Sequence, residues 1–394
     1  MENLQNNFSP LGTLLPSVTL SLAARAKELK KQGLDVYSMS VGEPDFDTPQ
    51  SIKDAAIKAL NEGKVGYIAS SGLPELKDEI VKKMETNGIK TNANNVIVTT
   101  GAKLALFETI TALCGEGDEV IVLAPYWLSY PEMIKASGAK MVVVNTKAEN
   151  NFEPTKEDIE KVLTQNTKLI IINSPNNPTG AVYSKETLSM IADLAIKHNF
   201  MVISDEVYEK LIYDNNAKHI SIASLNEKIA DLTITINGFS KAYAMTGWRL
   251  GYLVAPSWLV KRISALQSHA TSNATTFVQY AAVVALQGDA DTELDNMVKV
   301  FARRRELLCK LLKDIPEISV IEPKGAFYVM CNIAKTGMSA KDFASYLLEQ
   351  KLLTVVPCES FGAPEYIRLS YACSEEQIIE SIKRLKEFCQ SIGN

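Results

Sequence analysis

Leu169-Ile170-Ile171-Ile172-Asn173 and Met201-Val202-Ile203-Ser204 bracket the stretch on which the fold turns. Both runs are apolar on successive residues, the pattern of strands buried on both faces. Between them, Lys185–His198 spaces its apolar residues as one face of a helix does. Strand, helix and strand of these lengths predict a parallel βαβ unit. The alternation continues outward. Residues 96–100, 120–123, 141–145, 232–236 and 250–254 are further runs of the same kind, and 104–113 reads as another helix. The expectation is an α/β fold with a mostly parallel central sheet.

Beyond about residue 290 the pattern changes. A long charged helix, Asp291–Leu312, precedes short strands expected at 318–321, 326–330, 353–356 and 367–370, with helices over 340–350 and 375–389. That order suggests a smaller α+β domain. An N-terminal helix over 20–32 is expected to pack with it. The expected division is a large domain at 46–290 and a discontinuous small domain made of 1–45 and 291–394.

Composition narrows the function. With 394 residues, 46% hydrophobic and 22% charged, the chain has the make-up of a packed protein of about two domains. The net charge of −5 is spread without a basic block, which argues against a nucleic-acid partner. No apolar run reaches the ~18 residues of a membrane span. The longest, residues 277–286, contains Gln279. The first basic residue is Arg25, so a secretory leader is not expected and a cytoplasmic location is. Cys114, Cys309, Cys331, Cys358, Cys373 and Cys389 form no CxxC pair, and His198, His219 and His269 are dispersed. Neither a disulfide framework nor a metal site is expected.

Ligands of open α/β sheets bind beyond the carboxyl ends of the strands. The residues there are Thr100-Gly101-Ala102-Lys103, Asn176-Asn177-Pro178-Thr179-Gly180, Asp205-Glu206-Val207-Tyr208 and Ser240-Lys241, with Arg249 eight positions later. A lysine amine can form a Schiff base with a carbonyl. A carboxylate can keep a pyridine nitrogen protonated. A phenol and an amide can hydrogen-bond a phenolate oxygen. A glycine turn opening a helix, with an arginine, can hold a phosphate. These are the handles of pyridoxal 5′-phosphate. Taken singly, Gly101 is a turn glycine, Asp205 a cap, Lys241 a surface lysine and Asn177-Pro178-Thr179-Gly180 a turn. Their joint occurrence at successive strand ends carries the inference.

The segment from Gly238-Phe239-Ser240-Lys241 through Thr246-Gly247-Trp248-Arg249-Leu250-Gly251 resembles the cofactor-attachment signature of class I/II aminotransferases. Asn176–Gly180, Ser204–Tyr208 and Val41-Gly42-Glu43-Pro44-Asp45-Phe46-Asp47-Thr48-Pro49 are similar to the same family. The resemblance spans nearly the whole chain and lies closest to the bacterial aspartate aminotransferase branch. It implies fold type I of the pyridoxal-phosphate enzymes, and a homodimer with active sites at the subunit boundary. By this likeness Lys241 is the Schiff-base lysine, Asp205 pairs with the ring nitrogen, and Tyr208 and Asn177 bond the phenolate oxygen. Trp127 stacks on the ring. Ser240, Arg249 and the backbone of Gly101, Ala102 and Lys103 hold the phosphate, and Tyr67 reaches the phosphate of the other subunit. Gly238 stands where many relatives have serine.

For the substrate, the likeness assigns Arg368 to the α-carboxylate, with the Gly42 backbone, Trp127 and Asn177 beside it. A bidentate guanidinium suits that planar anion. Lys103 is assigned to the side-chain carboxylate, and Ser17 and Thr19 to the segment closing over it. Leu15 replaces a lysine found in relatives that also accept prephenate, which disfavours that substrate. The implied reaction moves the amino group of aspartate to 2-oxoglutarate by a ping-pong route, giving oxaloacetate and glutamate. Lys241 would shuttle the proton. Partners would be amino acids and 2-oxo acids. Alternatives are an aminotransferase for aromatic amino acids or alanine, and a pyridoxal-phosphate lyase such as a C–S lyase or an aminocyclopropane-carboxylate synthase. A non-enzymatic regulator would carry a DNA-binding domain for which this chain has no expected room.

Overall fold

The structure, a computed structural model, describes residues 10–213 and 217–392. Residues 1–9 and 393–394, part of the expected small domain, lie outside the described residues. Thirteen strands are described: β1 (Tyr37–Ser38), β2 (Val96–Thr99), β3 (Glu119–Ala124), β4 (Lys140–Asn145), β5 (Thr167–Asn173), β6 (Met201–Asp205), β7 (Thr233–Gly238), β8 (Gly251–Val254), β9 (Ser319–Val320), β10 (Tyr328–Asn332), β11 (Leu353–Thr354), β12 (Val356–Pro357) and β13 (Tyr366–Ser370).

Strands β2 to β8 form one sheet in the order β2-β8-β7-β6-β5-β3-β4. Every pairing in it is parallel except the two made by β8. The successive apolar residues have the expected cause. Val120 and Val122 of β3 pack on one face with Leu106, Ile110, Ile134 and Ile263. Ile121 and Leu123 pack on the other with Leu188 and Ile191 of the helix Lys185–His198. Because helices cover both faces, both sets of alternating side chains must be apolar. The run at 141–145 departs from the expectation of burial on both faces. It becomes the edge strand β4, with Lys140 and Asn145 exposed and only Val144 buried among its six residues.

Strands β12-β13-β10-β9 form an antiparallel sheet, and β1 pairs in parallel with β11. The single strand expected at 353–356 is two strands in different sheets, separated at the buried Val355. The helix Val18–Lys31 packs Ala26 and Leu29 against Leu348 and Leu352, so the N-terminal helix lies on the C-terminal elements as expected. All six cysteines are buried and unpaired.

Register places the strand ends level. Asn173 is the Cα partner of Asp205, and Asp205 that of Ile236. The chemistry carried by β5, β6 and β7 therefore emerges along one edge.

The helix Ala102–Leu113 buries Glu108 at 1% exposure, with no hydrogen-bond partner for either carboxylate oxygen. Burial pushes its pKa from the ordinary 4.5 up to about 7. The folded protein therefore holds this proton more tightly than the unfolded chain, and stability is lost as pH rises between those two values. Above pH 7 the loss amounts to about 3 kcal/mol. Glu108→Gln is expected to raise the melting temperature at pH 8 and to leave it near wild type at pH 4.5. Calorimetry at both pH values checks this, and a gain independent of pH would contradict it.

Candidate active site

The sheet edge opens into a cavity of about 540 Å³. Gly42, Ala102, Lys103, Trp127, Asn177, Asp205, Tyr208, Ser240, Lys241, Arg249 and Arg368 all line it, together with Ser17 and Thr19. Gly101 lies directly behind Ala102. Tyr67 is the exception: it is 91% exposed and not on the cavity wall.

Asp205 ends β6 and is buried. Its Oδ2 accepts a 2.6 Å bond from the Tyr130 hydroxyl, and its Oδ1 a 3.4 Å bond from the Val207 N–H. Burial pushes its pKa up to about 6, against the pull of the Tyr130 bond. Asn173 ties the neighbouring loop to it. The Asn173 side-chain amide donates to the Asp205 carbonyl at 2.9 Å, and its Oδ1 accepts from the Asn177 N–H at 2.8 Å.

Lys241 follows β7, and its Nζ donates to the Gly42 carbonyl at 2.6 Å. Burial chiefly drives its pKa down to about 8; Glu43 opposes this, and the fields of Arg368, Arg249 and Lys103 add to it. A lysine brought toward neutrality is a nucleophile in waiting.

Gly101 caps the helix Ala102–Leu113 with φ of +79°, a conformation that suits glycine. A Cβ there would stand 2.6 Å from Arg249 Nη2. The bare backbone thus lets the guanidinium approach the helix N-terminus, and the two positive poles meet at one point. That arrangement suits an anion. Gly238 is also crowded: a Cβ would lie 3.2 Å from the Leu250 carbonyl oxygen.

Across the cavity, Lys103 Nζ sits 4.7 Å from the Trp127 ring centroid, and burial, then Arg249, lowers its pKa. Trp127 meets Tyr130 edge-on with centroids 5.4 Å apart. Arg368 is 2% exposed. It donates from Nη1 to Asn177 Oδ1 at 2.9 Å and from Nη2 to the Ser40 carbonyl at 3.0 Å, while its Nε is buried without a partner. Among the described residues no carboxylate lies within ion-pair distance of it.

Tyr130, Asn173 and Tyr328 were not among the sequence candidates. The polar partners of Tyr130 and Tyr328 lie 75 and 120 positions away, beyond any local signal. His219 does sit in a cluster of titratable groups. His219 Nε2 is 2.9 Å from Glu206 Oε2 and 3.8 Å from a Glu209 oxygen. Lys83 pairs with Glu209 in the same cluster, so protein groups already balance its charge.

Residues 35–385 match the family described as aminotransferase class I and II. The chain belongs to that family. This aminotransferase is 42% identical over 386 residues to the aspartate aminotransferase of Bacillus subtilis, covering 96% of this chain and 98% of that one. It is 43% identical over 390 residues, 98% of each chain, to a probable aspartate/prephenate aminotransferase of Aquifex aeolicus. A solved structure of the Thermus thermophilus aspartate aminotransferase with maleate aligns at a TM-score of 0.93 and 39% identity, covering 97% of this chain and 100% of that one. The fold is therefore that of the type I enzymes.

The family depends on pyridoxal phosphate, and the residues present fit that group. Asp205 is a buried carboxylate held only by neutral donors, so a cationic ring nitrogen would relieve its desolvation. An amine of lowered pKa and an anion-binding helix start complete the set. In the cofactor-free aminotransferase, acylation of Lys241 should rise with a midpoint near pH 8, read by peptide mapping across a pH series. A midpoint at the ordinary 10.5 would contradict the environment described.

Proposed function

We propose that the aminotransferase carries the amino group of aspartate to 2-oxoglutarate, with pyridoxal phosphate as cofactor and ping-pong kinetics. One observation carries the substrate class: the cavity holds a buried guanidinium, Arg368, with no anionic partner among the described residues, and a second cation, Lys103. Two such cations suit a dicarboxylate. The names of the relatives support the same reading.

Bound in the cavity, pyridoxal phosphate supplies a carbonyl for amine exchange and a ring that accepts electrons. The protein's own groups do the rest. Asp205 holds the proton on the ring nitrogen. Tyr208 donates to the phenolic oxygen, and so does the Asn177 amide, whose Oδ1 is already taken by Arg368. Trp127 covers the ring. Arg249, Ser240 and the backbone of Gly101, Ala102 and Lys103 hold the phosphate. The Lys241 amine would take the proton from the substrate α-carbon and return it in the second half of the reaction. Arg368 fixes the α-carboxylate beside Gly42, and Lys103, with Ser17 and Thr19, meets the distal one.

The same reading takes the protein as a homodimer in which Tyr67 of one protomer reaches the phosphate site of the other. Ile57, Leu60, Val65 and Tyr67 form an exposed apolar segment that supports it. It also takes residues 46–290 as the cofactor-binding domain and 1–45 with 291–394 as the small one. A reducing, cytoplasmic setting accords with six unpaired cysteines. Among the described residues no helix is long and apolar enough to cross a membrane.

Borohydride reduction of the holoprotein followed by peptide mapping should place the pyridoxyl group on Lys241, and Lys241→Ala should abolish turnover. Label on another lysine would refute the assignment. Mixing the holoprotein with single amino acids and following cofactor absorbance should show aspartate and glutamate reacting fastest.

Removing one charged partner from a closed site costs about 2–5 kcal/mol. Lys103→Ala is therefore expected to lower kcat/KM for aspartate by about tenfold or more, with a much smaller change for alanine. Equal losses for both substrates would assign Lys103 to the phosphate instead.

A further inference from the structure

Tyr328 opens β10, and the antiparallel register sets it diagonal to Arg368. Tyr328 pairs with Ser370, and Met330 with Arg368. Opposed and alternate residues share a sheet face, so the two side chains project to the same side. The Arg368 guanidinium carbon lies 4.3 Å from the Tyr328 ring centroid and 5.3 Å from that of Phe361. At its other end Tyr328 places its hydroxyl 3.0 Å from the hydroxyl of Tyr208. That hydroxyl would also stand 2.9 Å from a Cβ on Gly42, whose carbonyl accepts the Lys241 amine. One side chain, 1% exposed, thus touches Arg368, Tyr208 and the seat of Lys241.

We infer that Tyr328 is a positioning residue that ties carboxylate capture at Arg368 to hydrogen-bond donation by Tyr208. The inference rests on the pyridoxal-phosphate reading given above. The ring accounts for the first half. A buried guanidinium needs compensation, and an aromatic face supplies it electrostatically. A carboxylate in its place would neutralise Arg368 and compete with the substrate's own carboxylate. The ring steadies the cation without neutralising it, and Arg368 still lines the cavity.

The hydroxyl accounts for the second half. Tyr208 has one proton to give. When that proton goes to the cofactor's phenolic oxygen, the contact between the two tyrosines is donated by Tyr328 and accepted by Tyr208. A phenol that accepts a bond donates a stronger one, because each bond polarises the next. Donation to the phenolic oxygen drains negative charge that would otherwise hold a proton on the neighbouring lysine nitrogen. Losing the Tyr328 hydroxyl should therefore let that nitrogen keep its proton to higher pH.

Two variants separate the halves. Tyr328→Phe removes the hydroxyl alone, and Tyr328→Leu removes the ring as well. Maleate binding is measured by calorimetry on the holoprotein and on the cofactor-free chain, and the pH midpoint of cofactor absorbance is measured on the holoprotein. In Tyr328→Phe the midpoint should rise by about half a unit or more, with maleate affinity within about twofold of wild type. In Tyr328→Leu maleate should bind about fivefold or more weakly in both forms. Absence of either change, in variants that fold as wild type by circular dichroism, overturns the inference. Identical behaviour of the two variants in both readouts would mean that Tyr328 only fills space, and overturns it as well. A wild-type protein that takes up no pyridoxal phosphate would instead overturn the functional reading itself.

Discussion

Arg368 is buried and faces the Asn177 amide oxygen, the Ser40 carbonyl and two aromatic rings, with no carboxylate beside it among the described residues. Asp205, also buried, faces a phenol and a backbone N–H rather than a cation. Lys241 donates to the Gly42 carbonyl. Pairing these charges with one another would be the cheaper arrangement, since an uncompensated buried charge costs several kcal/mol. Holding them apart on neutral partners is the constraint that shapes everything around the cavity. Its signature is the drift of Asp205 and Lys241 toward neutrality, upward to about 6 and downward to about 8. In both, desolvation outweighs the field of the nearby opposite charge, Lys241 for Asp205 and Glu43 for Lys241.

Such an arrangement needs a rigid support, and the structure provides one on two sides. Behind the Asp205–Tyr208 turn, Glu206 accepts bonds from Ser204 at 2.8 Å and Ser221 at 2.6 Å and contacts His219, while Glu209 pairs with Lys83. The turn is thereby anchored away from the cavity. The loop carrying Gly42 is fixed by a two-pronged Arg304–Asp45 pair at 2.7 and 2.8 Å and by Thr48 donating to the Ala244 carbonyl. Fixed donors and acceptors of this kind are how a protein presents polar groups to a ligand without reorganising at the moment of reaction.

Much of this was legible beforehand. The seven runs of the large sheet could be read because burial on both faces leaves a local mark, several apolar residues in succession. The mark misleads at an edge. Residues 141–145 are as apolar as their neighbours in the chain, yet Lys140–Asn145 lies on the sheet's rim, and nothing local records strand order. The division at Val355 escaped notice for the same reason, since a change of sheet partner leaves no trace in a run of β-branched residues. Among site residues, those with distinctive chemistry just after a strand were found. Tyr130 and Tyr328 were not, because an aromatic residue in an apolar stretch looks the same whether or not its hydroxyl reaches a charged partner.

By itself the sequence determined the fold class, the strand ends that bear chemistry, and the kind of ligand those residue types can hold. These depend on side-chain periodicity and functional groups, which are properties of a few neighbouring residues. Only the tertiary structure decided which charges stay unpaired, which protonation states burial favours, and which phenols support them. Tyr130 and Asp205 are 75 positions apart, Tyr208 and Tyr328 are 120 apart, and Asn177 and Arg368 are 191 apart. Coulomb and desolvation energies depend on separations of a few ångströms in space, and the packing together of segments distant in sequence is what sets them.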